Sequence, residues 1–427
     1  MELEEKYCCS KELNGRRSPL TRLYKALSQP VRLPLLPFVL MADWLCETRR
    51  EARRRREAAQ RLRAAAGRAQ GRVRTLAMYL PQFHRFPEND AWWGEGFTEW
   101  TNVRKAQPLY PGHPQPHVPH PDIGYYDLSD VEVMRRQAAL AKRFGLYGFC
   151  FYYYHFKDGK RLLDKPLANW LKAGDIDFPF CYAWANENWT RAWDGGDGEV
   201  IMPQDYGEEN MRAMMRNMLG DFRDPRYIKV DGGRTPVLLV YRAEAVPDIR
   251  RLSGVWREMA RTAGFKDLYL VSMQNFEEIA PAELGFDAAT EFAAWRHEES
   301  DWERPALKPE EFCPGGKLLN VHRYDAQVRY VLSPDRDVPY PRYKMVCPGW
   351  DNSPRRGRDA FMLTGNTPEA FGRCVRACRD LTLGNPQLRE NAFLFVNAWN
   401  EWGEGAHLEP DARNGYAYLE ALKEAVS

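Results

Sequence analysis

From residue 75 onward the chain repeats one pattern: a short run of apolar or aromatic residues, then a stretch in which apolar positions recur at helical spacing. Such alternation predicts β/α units around a parallel sheet, because strands buried on both faces read as unbroken apolar runs while their covering helices show one apolar stripe. Eight runs stand out: Thr75 to Leu80, Tyr147 to Tyr154, Phe178 to Ala185, Pro236 to Arg242, Leu268 to Met273, Phe286 to Phe292, Tyr343 to Cys347 and Ala392 to Asn400. Helical stretches fall at Val131 to Phe144, Leu162 to Leu171, Glu208 to Leu219, Ile249 to Ala263, Val321 to Leu332, Pro368 to Leu381 and Tyr416 to Val426, with a shorter one around Glu277 to Leu284. The predicted fold is α/β, a (β/α)8 TIM barrel with insertions. An open doubly wound sheet usually carries a Gly-rich phosphate turn after its first strand, and here that turn is Pro81-Gln82-Phe83-His84. The connection from Pro81 to Leu128 is long for a structureless loop. Its aromatics (Trp92, Trp93, Phe97, Trp100, Tyr110, Tyr125, Tyr126) and the prolines from Pro108 to Pro121 predict an ordered wall or lid beside the barrel mouth.

Charge divides the chain. Residues 1–74 hold 18 Lys/Arg against 8 Asp/Glu, and the remainder 43 against 51. This predicts a basic N-terminal extension over 1–74, helical or partly disordered, ahead of an acidic barrel over 75–427. A negative body opposes phosphate neutralisation, which excludes nucleic acid as the main ligand of the core and suits neutral sugars better. The apolar stretch Val31 to Leu45 is broken by Arg32, Pro34, Pro37 and Asp43, falls short of a membrane span, and comes late for a signal peptide. A cytoplasmic location is the expectation. From Glu47 to Arg74 the chain reads as a solvated helix or loose arm. In the alternative, Leu33, Leu35, Leu36, Phe38 and Leu40 touch the acidic inner face of a membrane while Arg53 to Arg56 attract lipid head groups. Nine cysteines without a CxxC pair or zinc-ligand spacing indicate a reduced compartment, no metal and no cofactor. Cys374 and Cys378 read as small buried side chains on one helix face.

In such a barrel the chemistry belongs at the C-terminal ends of the strands. There the chain places Gln82 and His84, His155 and Lys157, Asn186, Glu187, Asn188 and Trp189, then Trp350, Asp351 and Asn352, and finally Asn400, Glu401, Trp402 and Glu404. Carboxylates, amides and indole faces together supply what a sugar needs, polar partners for hydroxyls and a flat surface for the C–H face of the ring. Expected substrate contacts are Tyr79, Gln82, Trp100, His155, Trp184, Asn186, Glu187 and Asn400. Each also has a plainer role open to it: Trp184 or Tyr152 as barrel core, Asn188 as a turn cap. Glu401 and Glu404 stand three apart where the last strand turns over glycines, so both can face one cleft as an acid/base pair. The competing role is an arginine pair or a helix cap.

Three segments carry a family resemblance: Tyr147-Gly-Phe-Cys-Phe-Tyr-Tyr-Tyr154, Phe180-Cys-Tyr-Ala-Trp-Ala-Asn-Glu-Asn-Trp-Thr190 and Trp399-Asn-Glu-Trp-Gly-Glu-Gly405. They resemble the WbsX group of polysaccharide-biosynthesis proteins, which is similar in turn to glycoside hydrolase family 99. That resemblance implies a (β/α)8 barrel and a Glu-x-x-Glu pair. Glu401 would help the sugar's own 2-hydroxyl attack the anomeric carbon, and Glu404 would be the general acid/base, with net retention. Gly403 departs from the hydrolases, which have a histidine between the glutamates, so mannose specificity does not carry over. The implied activity is a retaining endo-glycosidase or transglycosylase acting on an oligosaccharide or polysaccharide in the biosynthesis of lipopolysaccharide O-antigen or capsule. The alternatives are a sugar-nucleotide glycosyltransferase and a non-catalytic glycan-binding barrel. Against the former, Asp175/Asp177 precede a strand, Asp335/Asp337 lie in a Pro-rich loop, and no phosphate-cradling Gly loop is present.

Overall fold

The computed structural model describes residues 49, 52–53, 56–57, 59–69, 71–191, 196–292 and 319–427. Two compact units divide the chain, 1–64 with 333–335, and 65–332 with 336–427. Of the first unit, residues 59–64 are helical, and Arg53 pairs with Glu57 at 2.7 Å. The apolar stretch Val31 to Leu45 and the leucines proposed for membrane contact lie outside the described residues. Among the described residues no helix is long and apolar enough to cross a membrane.

The second unit is a barrel of eight parallel strands. They are β1 (Arg74–Tyr79), β2 (Gly148–His155), β3 (Phe180–Trp184), β4 (Thr235–Val240), β5 (Tyr269–Gln274), β6 (Ala288–Glu291), β7, interrupted at Lys344 (Arg342–Tyr343 and Met345–Val346), and β8 (Phe393–Val396). Neighbours pair in sequence order, and β1 closes on β8 with Leu76 opposite Phe395. The two halves of β7 complete the ring, the first beside β6 and the second beside β8. Each of the eight apolar runs in the sequence overlaps one of these strands, with ends that differ by one or more residues.

The helices α1 (Pro87–Trp93), α2 (Glu99–Lys105), α3 (Val131–Arg143), α4 (Asp164–Lys172), α5 (Glu208–Asp221), α6 (Ile249–Thr262), α7 (Pro281–Leu284), α8 (Tyr324–Leu332), α9 (Ser353–Arg356), α10 (Pro368–Gly384) and α11 (Ala417–Val426) follow in order. Two expected helices are shorter than their patterns. Asn320–Arg323 is extended because it pairs with Phe361–Thr364, which leaves α8 to begin at Tyr324. The stretch around Glu277 to Leu284 keeps only one turn, opened by Pro281 and closed by Gly285 in the left-handed region. Cys374 and Cys378 are both buried on α10.

Strand alternation decides which aromatics face the helix layer. Phe151 meets Trp170 of α4, and Trp184 meets Trp256 of α6 at 5.8 Å. Trp184 is fully buried there. Trp184→Ala is therefore expected to lower unfolding free energy by ~3–5 kcal/mol, as for other large core truncations. Urea denaturation monitored by circular dichroism measures it, and a loss of ~1 kcal/mol or less would mean that this contact is not core packing.

Candidate active site

The long connection after β1 forms a wall beside the barrel mouth. In it α2 starts from a capping box at Thr98 and buries Glu99, Trp100, Asn102 and Val103. Trp100 packs on Phe83, Tyr126 and Trp402, and its indole N–H donates to the Tyr126 carbonyl. Further along, His113 and Gln115 reach Asp351 after β7, at 2.7 and 2.6 Å. Burial alone would raise the Asp351 carboxyl, but these bonds hold it below the usual carboxylate range.

Beyond β8 the chain makes a short bridge, Asn400–Glu401 with Ala406–His407, that encloses a 3-10 turn over Trp402–Glu404. Asn400 fixes its start by accepting from the Leu80 N–H and donating to the Leu80 carbonyl, which ties the first strand to the last. Trp402 fixes its middle. Its ring stacks on His407 at 3.7 Å, and its N–H donates to Glu409 at 2.7 Å. Glu409 also accepts from Tyr126 and Gln137, and Tyr79 donates to Gln137.

This framework brings Glu401 and Glu404 to one guanidinium. Arg355 of α9 donates to Glu404 Oε1 at 2.6 Å, to Glu401 Oε2 at 3.1 Å, and through Nε to Glu99 Oε1 at 2.8 Å. Three carboxylates thus share one cation. Glu99 is wholly buried, while the Glu404 side chain keeps 18% of its surface exposed, so the cluster opens on the Glu404 side. Gly403 sits against it, because a Cβ there would overlap Glu99 Oε1 and stand 2.8 Å from Arg355 Nε. The bare backbone at 403, where the hydrolases have histidine, is thereby explained by the ion pair packed on it.

Excess negative charge keeps a proton in the cluster. Burial, then repulsion from Glu404, pushes the Glu401 carboxyl up to about 8 against the pull of Arg355. Burial raises Glu404 as well. Glu409 is pushed up to about 7, also by burial, with its hydrogen-bond donors opposing. A carboxyl raised on folding binds its proton more tightly in the folded state, so its stabilising contribution is complete below the unfolded value near 4.5 and is lost as pH rises through the folded value. Glu409 and Glu401 place that loss between about pH 4.5 and 8. Melting temperature is expected to fall across this window in scanning calorimetry, and Glu401→Gln should flatten the upper part of the slope. A melting temperature that rises steadily to pH 8 would contradict the protonated cluster.

The Tyr152 and Tyr154 hydroxyls of β2 are raised by burial and then by the charge of Glu401, and that of Tyr241 after β4 by burial and then by the charges of Glu187 and Glu404. At the rim Arg242 pairs with Glu187 and Glu244, and its guanidinium lies 4.1 Å over the half-exposed ring of Phe276.

Of the eight side chains expected to contact substrate, seven are buried. Tyr79 faces α3 and spends its hydroxyl on Gln137, and Trp184 faces α6. His155 meets Asn210 of α5, and Asn186 bridges to the backbone of Arg242. Trp100 stands behind Trp402, Asn400 joins β1 to β8, and the Gln82 carbonyl lies below the start of α2. Glu187 alone is partly exposed, in its pair with Arg242. These buried residues form the supporting framework instead of the open surface. Sequence reasoning missed Arg355, Glu99, Tyr154 and Tyr241 as site residues. The position of Arg355 four residues after Asp351, in the loop following β7, was the available signal. Asp175 and Asp177 pair with Arg135 and Lys142 of α3 at the opposite end of β3. Among the described residues no group of three or more His, Cys, Asp or Glu is placed to hold a metal.

The model of the WbsX glycosyltransferase family matches residues 75–422. The chain belongs to that family. The WbsX chain is also 39% identical over 400 residues to an uncharacterized protein, WxcX, in two strains of Xanthomonas campestris pv. campestris. That match covers 90% of this chain, and the chain spans about half (56%) of the relative's length. Among solved structures it is similar to a glycoside hydrolase-like protein, at TM-score 0.54 and 14% identity over 84% of this chain and 95% of that one, which shows a shared fold. A family 99 endo-α-mannosidase from Bacteroides thetaiotaomicron aligns at TM-score 0.49 and 13% identity over 83% and 96% of the two chains.

Proposed function

We propose that this WbsX chain cleaves or transfers glycosidic bonds in a surface polysaccharide, using Glu401 and Glu404 as its acid/base pair. One observation carries the reading: both carboxyls converge on a single guanidinium, and the Glu404 side chain stays partly exposed. Two carboxyl groups that share a proton suit glycosidic chemistry. One gives its proton to the leaving oxygen as the C1–O bond breaks, and the other takes a proton from the attacking hydroxyl, so the pair ends with the same number of protons. Burial raises both carboxyls, which favours the protonated form in the pair. Arg355 draws the two carboxyls together and limits their repulsion. The tyrosine hydroxyls and the Phe276 ring supply the polar partners and flat surface a pyranose uses.

The family's description as a glycosyltransferase supports a second reading, in which a sugar nucleotide is the donor. Differential thermal unfolding separates the two. Stabilisation by neutral oligosaccharides without metal, together with turnover of an activated aryl glycoside, is expected. Stabilisation only by nucleotide sugars with a divalent cation would replace the first reading by the second. Binding of oligosaccharide with no turnover of any donor would leave a glycan-binding barrel. We propose further that residues 1–74 act as a separate basic arm reaching an anionic membrane, in a chain working at the cytoplasmic face. Flotation of this segment with phosphatidylserine vesicles tests the arm, and its failure to float would remove that role.

A further inference from the structure

A concavity is lined by the exposed side of α2 and the loop before it. It has a volume of about 510 Å³, and its lining includes Arg85, Arg104, Lys105, Trp100 and Asp127. That volume is within the range of about 300–1,000 Å³ that small-ligand sites occupy. Its charge is distinctive. Asp127 is the one carboxylate in the lining, and one of its oxygens is engaged by the Ser129 N–H. Arg85 is turned toward Asp90 and Glu95, at 3.2 and 3.6 Å. Among the described residues no carboxylate lies within ion-pair reach of Arg104 or Lys105. Arg104 is instead propped face-on against Tyr125, its guanidinium carbon 4.0 Å from the ring centre, while Tyr125 rests edge-on against Trp100 at 5.0 Å.

An isolated cation on a convex surface is ordinarily solvated and carries no meaning. Here two unneutralised cations share a hollow in a body that is otherwise acidic, and a concave low-dielectric wall concentrates their field. The guanidinium is also held in place by its aromatic support, so less freedom is lost when it grips an oxyanion, and its planar fork matches a carboxylate through two parallel hydrogen bonds. Distance links the hollow to the active site. At about 1.5 Å of rise per residue, Arg104 stands about 7–8 Å along α2 from Glu99, which touches Arg355.

We infer that this hollow is a secondary glycan subsite that takes an acidic sugar unit by its carboxylate, with Arg104 and Lys105 as the anion-binding pair. The kind of ligand rests on the carbohydrate reading above, whereas the anion binding does not. It narrows that reading to polysaccharides carrying uronate-type residues.

Titration calorimetry on the full chain tests it with tetragalacturonate as the probe and maltotetraose as the uncharged control. Tetragalacturonate should bind at least tenfold more tightly than maltotetraose at low salt, and 0.5 M NaCl should remove most of that preference. Arg104→Ala/Lys105→Ala, both exposed positions, should abolish the preference without altering the melting temperature. Glu401→Gln should leave it unchanged, so that failure of the catalytic pair and failure of this subsite are read separately. Equal binding by wild type and the double variant, or no preference over maltotetraose, overturns the proposal. Inorganic phosphate binding as tightly as the tetrasaccharide overturns its assignment to a sugar.

Discussion

Turnover of a glycoside with a poor leaving group is expected to fall about 10²–10⁴-fold in both Glu401→Gln and Glu404→Gln, the range that loss of a positioned proton-transfer group produces. Glutamine keeps the shape of the side chain and a carbonyl that can still accept from Arg355, so the geometry of the cluster survives. Neither change should lower the melting temperature at pH 8, because each removes one of three carboxylates crowded around one cation. Steady-state kinetics on a series of leaving groups then assigns the roles. The variant lacking the proton donor loses little on a nitrophenyl leaving group, which departs without help, and much on a poor one; the variant lacking the base loses equally on all. Full activity in either variant, with the protein folded, would end the acid/base assignment.

Gly403→Ala should cost about as much activity by a different route. Its new methyl group needs the space that Glu99 Oε1 and Arg355 Nε occupy, so the ion pair is expected to shift and Arg355 to lose its hold on the two proposed acid/base carboxyls. A loss of at least about 10²-fold is expected, in line with what small displacements of reacting groups produce. Overpacking of a tight site typically costs ~1–3 kcal/mol of stability. Glu99→Ala in the same chain should recover much of that stability, since it vacates the space, while leaving activity low because Arg355 has lost its anchor. Kinetics and thermal unfolding on the single and double variants measure both effects. Unchanged activity in Gly403→Ala would mean that the Glu99–Arg355 contact is not needed to position the pair.

Much of this architecture was legible along the chain. Alternating strand and helix patterns locate all eight strands, because burial on both faces forces each strand to be an apolar run whatever its neighbours are. Glu401 and Glu404 were likewise visible as a carboxyl pair at the end of the last strand, and the arginine contact weighed as their competing role is present as well, through Arg355. The helix at Val321 misled because its first residues also alternate, and only the presence of Phe361–Thr364 alongside decides for a strand.

The side chains that complete the site were not legible, and the reason is physical. In Phe149-Cys-Phe-Tyr-Tyr-Tyr154 both faces of the strand are apolar, so its composition cannot say that Tyr152 and Tyr154 turn toward the glutamates while Phe151 turns to Trp170. For Tyr79 and Trp184 the same ambiguity fell the other way, toward the helix layer. Arg355 and Glu99 are 256 positions apart, and nothing local in either segment calls for the other. Sequence alone determined the strands, their order and the carboxyl pair, since each follows from the chemistry of neighbouring residues. Tertiary structure alone decided which faces point inward and which distant charge gathers the pair, because those depend on the closure of the ring that brings the first, seventh and eighth strands together.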